Sequence, residues 1–307
     1  MSAPAHGSRL LDPAVLAEIT RLDLRARQVV EGFVTGLHKS PRRGYSVEFA
    51  EHREYVPGDD LRHLDWKRWA REDRYYIKQY EEETNLRCHL LLDISESMRF
   101  GTGPLNKFEY AATAAASLAY LLLKQRDGVG LRLFDDALRA QVPVSSNFQS
   151  LHNILAMVEP AVPRRKTDLS LPLREFAEQS RRRSLVVVFS DLLAPPETIE
   201  AGLEALRHMR HEVVLFHVLD ESELTFPFEE NTRFKGMEEL PDLIAEPRAL
   251  RKGYLAVLEE HLQAVRRSCA AMRIDYVLLS THEPLDRALS GFLAARARVV
   301  RGSTRRR

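Results

Sequence analysis

From Arg87 onward, short apolar runs alternate with amphipathic stretches at helical spacing, and this alternation confines the chain to an α/β architecture with a mostly parallel sheet. The clearest run is SLVVVFSD, Ser184–Asp191. Five consecutive apolar residues rich in Val suit a strand buried on both faces, so it is placed at the sheet centre. CHLLLDIS, GVGLRLFD, EVVLFHVLD and IDYVLLST read as further buried strands, and ALRAQVPV as an edge strand. Between them the spacing predicts helices over 107–124, 148–158, 171–182, 197–210, 250–272 and 285–298. The small residues Ala111 through Ala116 in the first of these permit close approach to a sheet. An irregular insertion with hairpin character is expected at about 221–249.

A chain of 307 residues has room for a second module. Leu10 to Leu37 carries apolar residues at helical spacing, among them Val15, Ile19, Leu22 and Phe33, with Gly36 where a C-cap belongs. The stretch from Tyr45 to Glu83 is dense in aromatic and charged residues, and Pro57-Gly58 marks a tight turn. The expected division is therefore a smaller N-terminal α+β module over 1–85 and an α/β domain over 86–307.

Charge and cysteine content exclude several function classes. The 45 basic and 44 acidic residues nearly cancel, leaving +1 and no global field to gather nucleic acid or anionic lipid. Basic clusters such as Arg181 to Arg183 then read as solvated faces or helix C-termini, and no nucleic-acid partner is expected. Cys88 and Cys269 lie far apart and outside any CxxC spacing, so they read as core residues, not as a disulfide or zinc framework. No run approaches the roughly 18 apolar residues that span a bilayer, and MSAPAHGSR has no apolar signal region, so a cytoplasmic location is expected.

The chemistry is carried by Asp93-Ile94-Ser95-Glu96-Ser97 at the carboxyl end of the first α/β strand, and by Asp191 at the end of SLVVVFSD. In open parallel sheets, ligands gather outside the carboxyl ends of strands. Thr167 precedes the helix that leads into the second of these strands, on a loop at the same edge. Mg²⁺ is a hard ion that takes oxygen donors in near-octahedral geometry and keeps part of its water shell, and hydroxyls and carboxylates suit it. Direct coordination by Ser95, Ser97 and Thr167, with Asp93 and Asp191 acting partly through water, makes a largely neutral inner shell. Such an ion stays electrophilic toward an outside carboxylate. Mn²⁺ and Ca²⁺ are the alternative ions. The competing reading makes Ser95, Ser97, Thr167 and Asp191 ordinary helix caps and strand ends.

These five residues and their order resemble the metal-ion-dependent adhesion site of von Willebrand factor A domains, and the resemblance covers about 87–300. It implies a Rossmann-like domain: a mostly parallel central sheet, one antiparallel edge strand and helices on both faces. A second resemblance reaches upstream. Arg53-Glu54-Tyr55-Val56-Pro57-Gly58-Asp59-Asp60-Leu61-Arg62-His63-Leu64-Asp65-Trp66, then Ala70-Arg71 and the metal motif with Met98, resemble the bacterial family called domain of unknown function fifty-eight. That resemblance implies an adaptor or assembly factor working with a MoxR-type AAA+ ATPase. Many members carry membrane spans before the motif, and this chain has none. Read from the residues alone, Arg53, Tyr55, Gly58, Asp59, Asp60, Arg62, Asp65 and Trp66 form an interdomain brace in which turn carboxylates pair with arginines and Trp66 anchors by packing. A second metal site at Asp59, Asp60 and Asp65 is the alternative.

The function expected is non-enzymatic and metal-dependent, with the ion capturing an Asp or Glu of a partner protein. A Mg²⁺-dependent phosphohydrolase or nuclease using Asp93 and Asp191 is the rival, and it needs a general base that the sequence does not place. The segment Gly101 to Lys107 fits neither phosphate-loop pattern.

Overall fold

The computed structural model describes residues 86–164, 166, 168–230 and 246–289, and the backbone alone of strands at 49–54, 76–80, 232–234 and 243–245. Thr167 and all the upstream motif residues except Arg53 and Glu54 lie outside the described residues, as do the helix read at 10–37 and the end of the one read at 285–298.

By its contacts, the segment Lys39–Leu86 forms a unit of its own. Its described part is an antiparallel pair, β1 (Phe49–Glu54) with β2 (Tyr76–Tyr80), in which Arg53 stands opposite Ile77.

The described part of the α/β unit begins at Arg87. Its elements are β3 (Arg87–Asp93), α1 (Lys107–Lys124), β4 (Gly128–Phe134), β5 (Leu138–Ser145), α2 (Gln149–Val158), α3 (Ser170–Gln179), β6 (Leu185–Ser190), α4 (Pro196–His208) and β7 (Glu212–Leu219). There follow α5 (Glu221–Thr225), β8 (Thr232–Phe234), β9 (Leu243–Ala245), α6 (Pro247–Ala271) and β10 (Asp275–Ser280). The sheet order is β10-β7-β6-β3-β4-β5, parallel except for the antiparallel edge strand β5. This is the architecture the sequence pattern implies, with SLVVVFSD and CHLLLDIS as the two central strands.

Alternation along each strand divides the core into two layers. On one face Leu91, Val186, Val188, Val213 and Leu215 meet Phe176 of α3, Leu203 of α4 and Val265 of α6. On the other face α1 touches β3, β4, β6 and β7. Its Ala111, Ala114, Ala115 and Ala119 are fully buried, because only small side chains let the helix backbone come this close. Gly202 serves the same purpose between helices, since a Cβ there would stand 2.8 Å from the Leu169 carbonyl oxygen. Cys88 and Cys269 are both buried in the core.

One local expectation needs correction. Residues 221–225, read as the irregular start of an insertion, form the helix α5. Asp220 caps it: its carboxylate accepts from the Ser222 N–H at 3.0 Å, and Glu223 reaches back to the Asp220 N–H at 2.7 Å. That reciprocal pair is a capping box. The hairpin character of the insertion corresponds to the antiparallel pair of β8 with β9.

Candidate metal centre

The sheet reverses direction of growth between β3 and β6, so the crevice for a ligand opens outside the carboxyl ends of those two strands. Asp93 is the last residue of β3, and Asp191 follows the last residue of β6. Strand pairing thus brings together groups nearly a hundred positions apart. Asp93, Ser95 and Asp191 are fully buried and Ser97 is 4% exposed.

The Asp-x-Ser-x-Ser segment is held as a tight turn. Asp93 Oδ1 accepts from the Ser95 N–H at 2.8 Å, and its Oδ2 accepts from the Ser190 hydroxyl at 2.6 Å. The Ser95 and Ser97 hydroxyl oxygens are 3.1 Å apart. Ile94 is pinned on both sides, donating to Phe134 O and accepting from the Arg164 N–H, which ties the loop leading toward Thr167 to the motif. Ser95 stands at the N-cap of the 3₁₀ turn Glu96–Arg99, but its side chain makes no capping bond. Asp191 caps no helix either, because the N-cap of α4 is Pro195. The helix-cap reading therefore fails at these two positions.

Asp191 brings in a residue the sequence reading missed. Its Oδ2 accepts from Lys107 Nζ at 2.8 Å, and the same ammonium donates to Glu223 Oε1 at 2.8 Å. Lys107 is fully buried. Burial alone lowers the pKa of an ammonium, but the Asp191 and Glu223 charges more than reverse this, so Lys107 stays charged. Glu223 still lies above its usual range, because its burial outweighs the attraction of Lys107. A signal did exist: Lys107 opens α1, where the positive end of the helix dipole disfavours a cation unless an anion waits for it.

Further neighbours fix the Asp191 backbone. His217 donates from Nε2 to the Asp191 carbonyl at 2.8 Å, so its Nδ1 accepts from the Tyr276 hydroxyl at 2.9 Å. Burial keeps this imidazole neutral, with its pKa lowered to about 3. The turn after Asp191 passes through Leu192 at φ 52°, and α5 ends at Phe226 at φ 46°; both are strained conformations for bulky side chains.

The electrostatics fit a divalent ion. Among the described residues, Asp93, Asp191 and Glu223 against the single ammonium of Lys107 leave two negative charges unbalanced when all are ionised. Burial, and then the Asp191 charge, push Asp93 well above its ordinary pKa against the hydrogen bonds from Ser190 and Ser95. Among the described residues no cationic side chain is in ion-pair reach of Asp93, and no three His, Cys, Asp or Glu gather as ligands. The donors present are two carboxylates and two hydroxyls, a hard-oxygen set that suits Mg²⁺ rather than a soft metal. Beside it lies a cavity of about 210 Å³, lined by Ser97, Phe100, Lys107, Leu193, Phe226 and Tyr254 among others.

The strand order, the antiparallel edge and an Asp-x-Ser-x-Ser turn at the switch point define a von Willebrand factor A-like domain. The chain belongs to the family described as protein of unknown function DUF58, whose profile matches residues 51–264. The uncharacterized proteins Rv1480 of Mycobacterium tuberculosis and Mb1516 of Mycobacterium bovis are each 31% identical to it over 219 residues, covering 70% of this chain and 68% of theirs. Among solved structures it is similar to the conserved hypothetical protein BatB from Bacteroides thetaiotaomicron, at 18% identity and TM-score 0.46, over 69% of this chain and 99% of that one. The SpRpn10 VWA domain is similar at 11% identity and TM-score 0.40, over 67% and 94%. Among the described residues no helix is long and apolar enough to cross a membrane.

Proposed function

We propose that this chain is a non-enzymatic, metal-dependent protein-binding module, in which Asp93, Ser95, Ser97, Thr167 and Asp191 hold Mg²⁺ and leave a coordination position for an Asp or Glu of a partner. The observation that carries the reading is the pair of buried carboxylates, Asp93 and Asp191, at the switch point beside two hydroxyls 3.1 Å apart, with negative charge in excess. An ion there supplies the missing positive charge and offers a Lewis-acidic position to an outside oxygen. The neighbouring cavity adds apolar contact for the residues that flank the acid. By family resemblance the partner is a MoxR-type AAA+ ATPase or a client of one, and the chain acts in the cytoplasm as an adaptor or assembly factor.

A hydrolytic reading finds little support among the described residues. A metal-dependent hydrolase needs a free general base, and both groups nearest the site are engaged. Glu223 accepts through both oxygens, and His217 uses both ring nitrogens.

The test is calorimetric titration of Mg²⁺ and Mn²⁺ into chelator-stripped protein, paired with capture of a MoxR-type ATPase with and without metal. Asp93→Ala and Ser95→Ala are expected to lose both signals and to retain a cooperative unfolding transition. Capture that persists in chelator, or in both variants, overturns the proposal.

A further inference from the structure

The face of β3 and β4 that packs on α3 carries a second concentration of polar groups, and it shares no residue with the candidate metal centre. Alternation puts Arg87, His89 and Leu91 on the α3 face of β3, with Arg132 of β4 in register with Leu91. Counting in strand rises of about 3.3 Å, these groups run from the level of Arg87, roughly 20 Å from Asp93, to that of Arg132, about 7 Å from it along the neighbouring strand. These side chains line a cavity of about 400 Å³, together with Gln141 of the edge strand, Gln179 at the end of α3, and Arg181 and Arg182 just beyond it.

Arg132 is the anomaly. It is the sole formal charge in the interior of the four central strands, set among residues that are otherwise fully buried on β4. A guanidinium loses hydration there, and burial lowers its pKa in spite of the attraction of Glu175. The protein holds it in place without neutralising it. Its Nη1 donates to Gln179 Oε1 at 2.5 Å, and its plane lies 5.0 Å from the Phe176 ring centroid. Gln179 turns its other end to Glu175, donating at 3.0 Å, so the acid is joined through an amide and not directly. Among the described residues no carboxylate is in ion-pair reach of Arg87, Arg132, Arg181 or Arg182.

One histidine registers the resulting field, and a second stands buried beside it. His89 is lowered to about 4, by burial first and then by Arg132 and Arg87. His211 is fully buried and in ring contact with Phe176, and its Nε2 has no hydrogen-bond partner. Solvated-face readings explain Arg181 and Arg182, which are exposed, but not a half-buried Arg132 clamped in position beside them.

We propose that this cavity is a binding site for a small molecule bearing a phosphate or diphosphate group, with Arg132 as its fixed base and Arg87, Arg181 and Arg182 closing on the anion. Guanidinium forks match phosphate oxygens in pairs, and several together select for more than one negative charge. The volume falls within the range of small-molecule sites and exceeds what a lone carboxylate fills. Pro143 and Val144 supply an apolar wall for an organic body attached to the phosphate.

The experiment uses the full chain in chelator, so that the metal centre is empty and cannot contribute. Inorganic pyrophosphate and ADP are titrated by calorimetry, with thermal unfolding as a second readout. Saturable binding and a raised Tm are expected, with affinity reduced about tenfold or more in Arg181→Ala/Arg182→Ala, whose exposed side chains the fold does not need. Arg132→Gln should abolish binding, while Ser95→Ala should leave it intact. Absence of pyrophosphate and ADP binding, or binding equal in wild type and the double variant, refutes the site. Tighter and more salt-sensitive binding of a single-stranded oligonucleotide also refutes it, in favour of a nucleic-acid surface.

Discussion

Lys107→Met removes the one cation that, among the described residues, is buried at the proposed metal centre, while keeping most of the side-chain volume, and its consequences can be worked out from the geometry. Lys107 Nζ lies 2.8 Å from both Asp191 Oδ2 and Glu223 Oε1, with Lys107 and Asp191 at 0% exposure and Glu223 at 15%. Breaking a buried ion pair by deleting one partner costs about 3–5 kcal/mol, because the surviving charge is left without compensation. Here two carboxylates share the ammonium, so the loss falls toward the upper end of that range without being the sum of two pairs. For a unit of this size it corresponds to roughly 6–20 °C in Tm. Without Lys107, three carboxylates face the site with no internal cation, so a divalent ion relieves more repulsion than in wild type. Mg²⁺ should therefore restore a larger share of stability in Lys107→Met than it adds to wild type; stabilisation at a hundredfold excess over Kd is about 2.7 kcal/mol. Urea unfolding followed by circular dichroism, in chelator and in Mg²⁺, measures both quantities. A loss below about 1 kcal/mol in chelator, or a Mg²⁺ increment no larger than in wild type, would refute this account of the hub, since surface pairs alone behave that way.

Ser190→Ala removes the 2.6 Å hydrogen bond that orients Asp93, and calorimetry should find divalent-ion affinity lowered about 10–100-fold with the fold retained. His89 falls from 6.5 unfolded to about 4 folded, so the neutral ring contributes stability that is fully present above pH 6.5 and is lost as pH drops through 4. That contribution is at most ~3 kcal/mol, and the stability curve of His89→Gln should be flatter than wild type across this window. Asp220 accepts from Thr102, Ser222 and Thr281 hydroxyls at 2.6, 2.7 and 2.7 Å, and these bonds overcome burial to hold its carboxyl below the ordinary range. Asp220→Asn should cost about 2–4 kcal/mol by denaturant titration, as the amide cannot accept all these donors. That stability is present above the usual carboxylate pKa and fades as pH falls below it; an unchanged acid limb in the variant would count against the assignment.

Some of this protein is written in local stretches of chain. Apolar runs such as LVVVF, broken by helices of matching length, dictate a doubly covered parallel sheet, because period-two burial and 3.6-residue amphipathicity are properties of neighbouring residues. Asp-x-Ser-x-Ser at a strand end, and Asp191 at another, were legible for the same reason, as was β5 at the edge. Other features arise only when distant segments meet. The ion pair of Lys107 with Asp191 and Glu223 joins positions 84 and 116 residues apart, and nothing near Lys107 says which of 44 acidic residues will face it. The same holds for Arg132 and His89, a charge and an imidazole within apolar strands whose surroundings come from α3 and β5. A buried charge is fixed by the dielectric and partners that the complete fold assembles around it, and that environment has no local sequence signature.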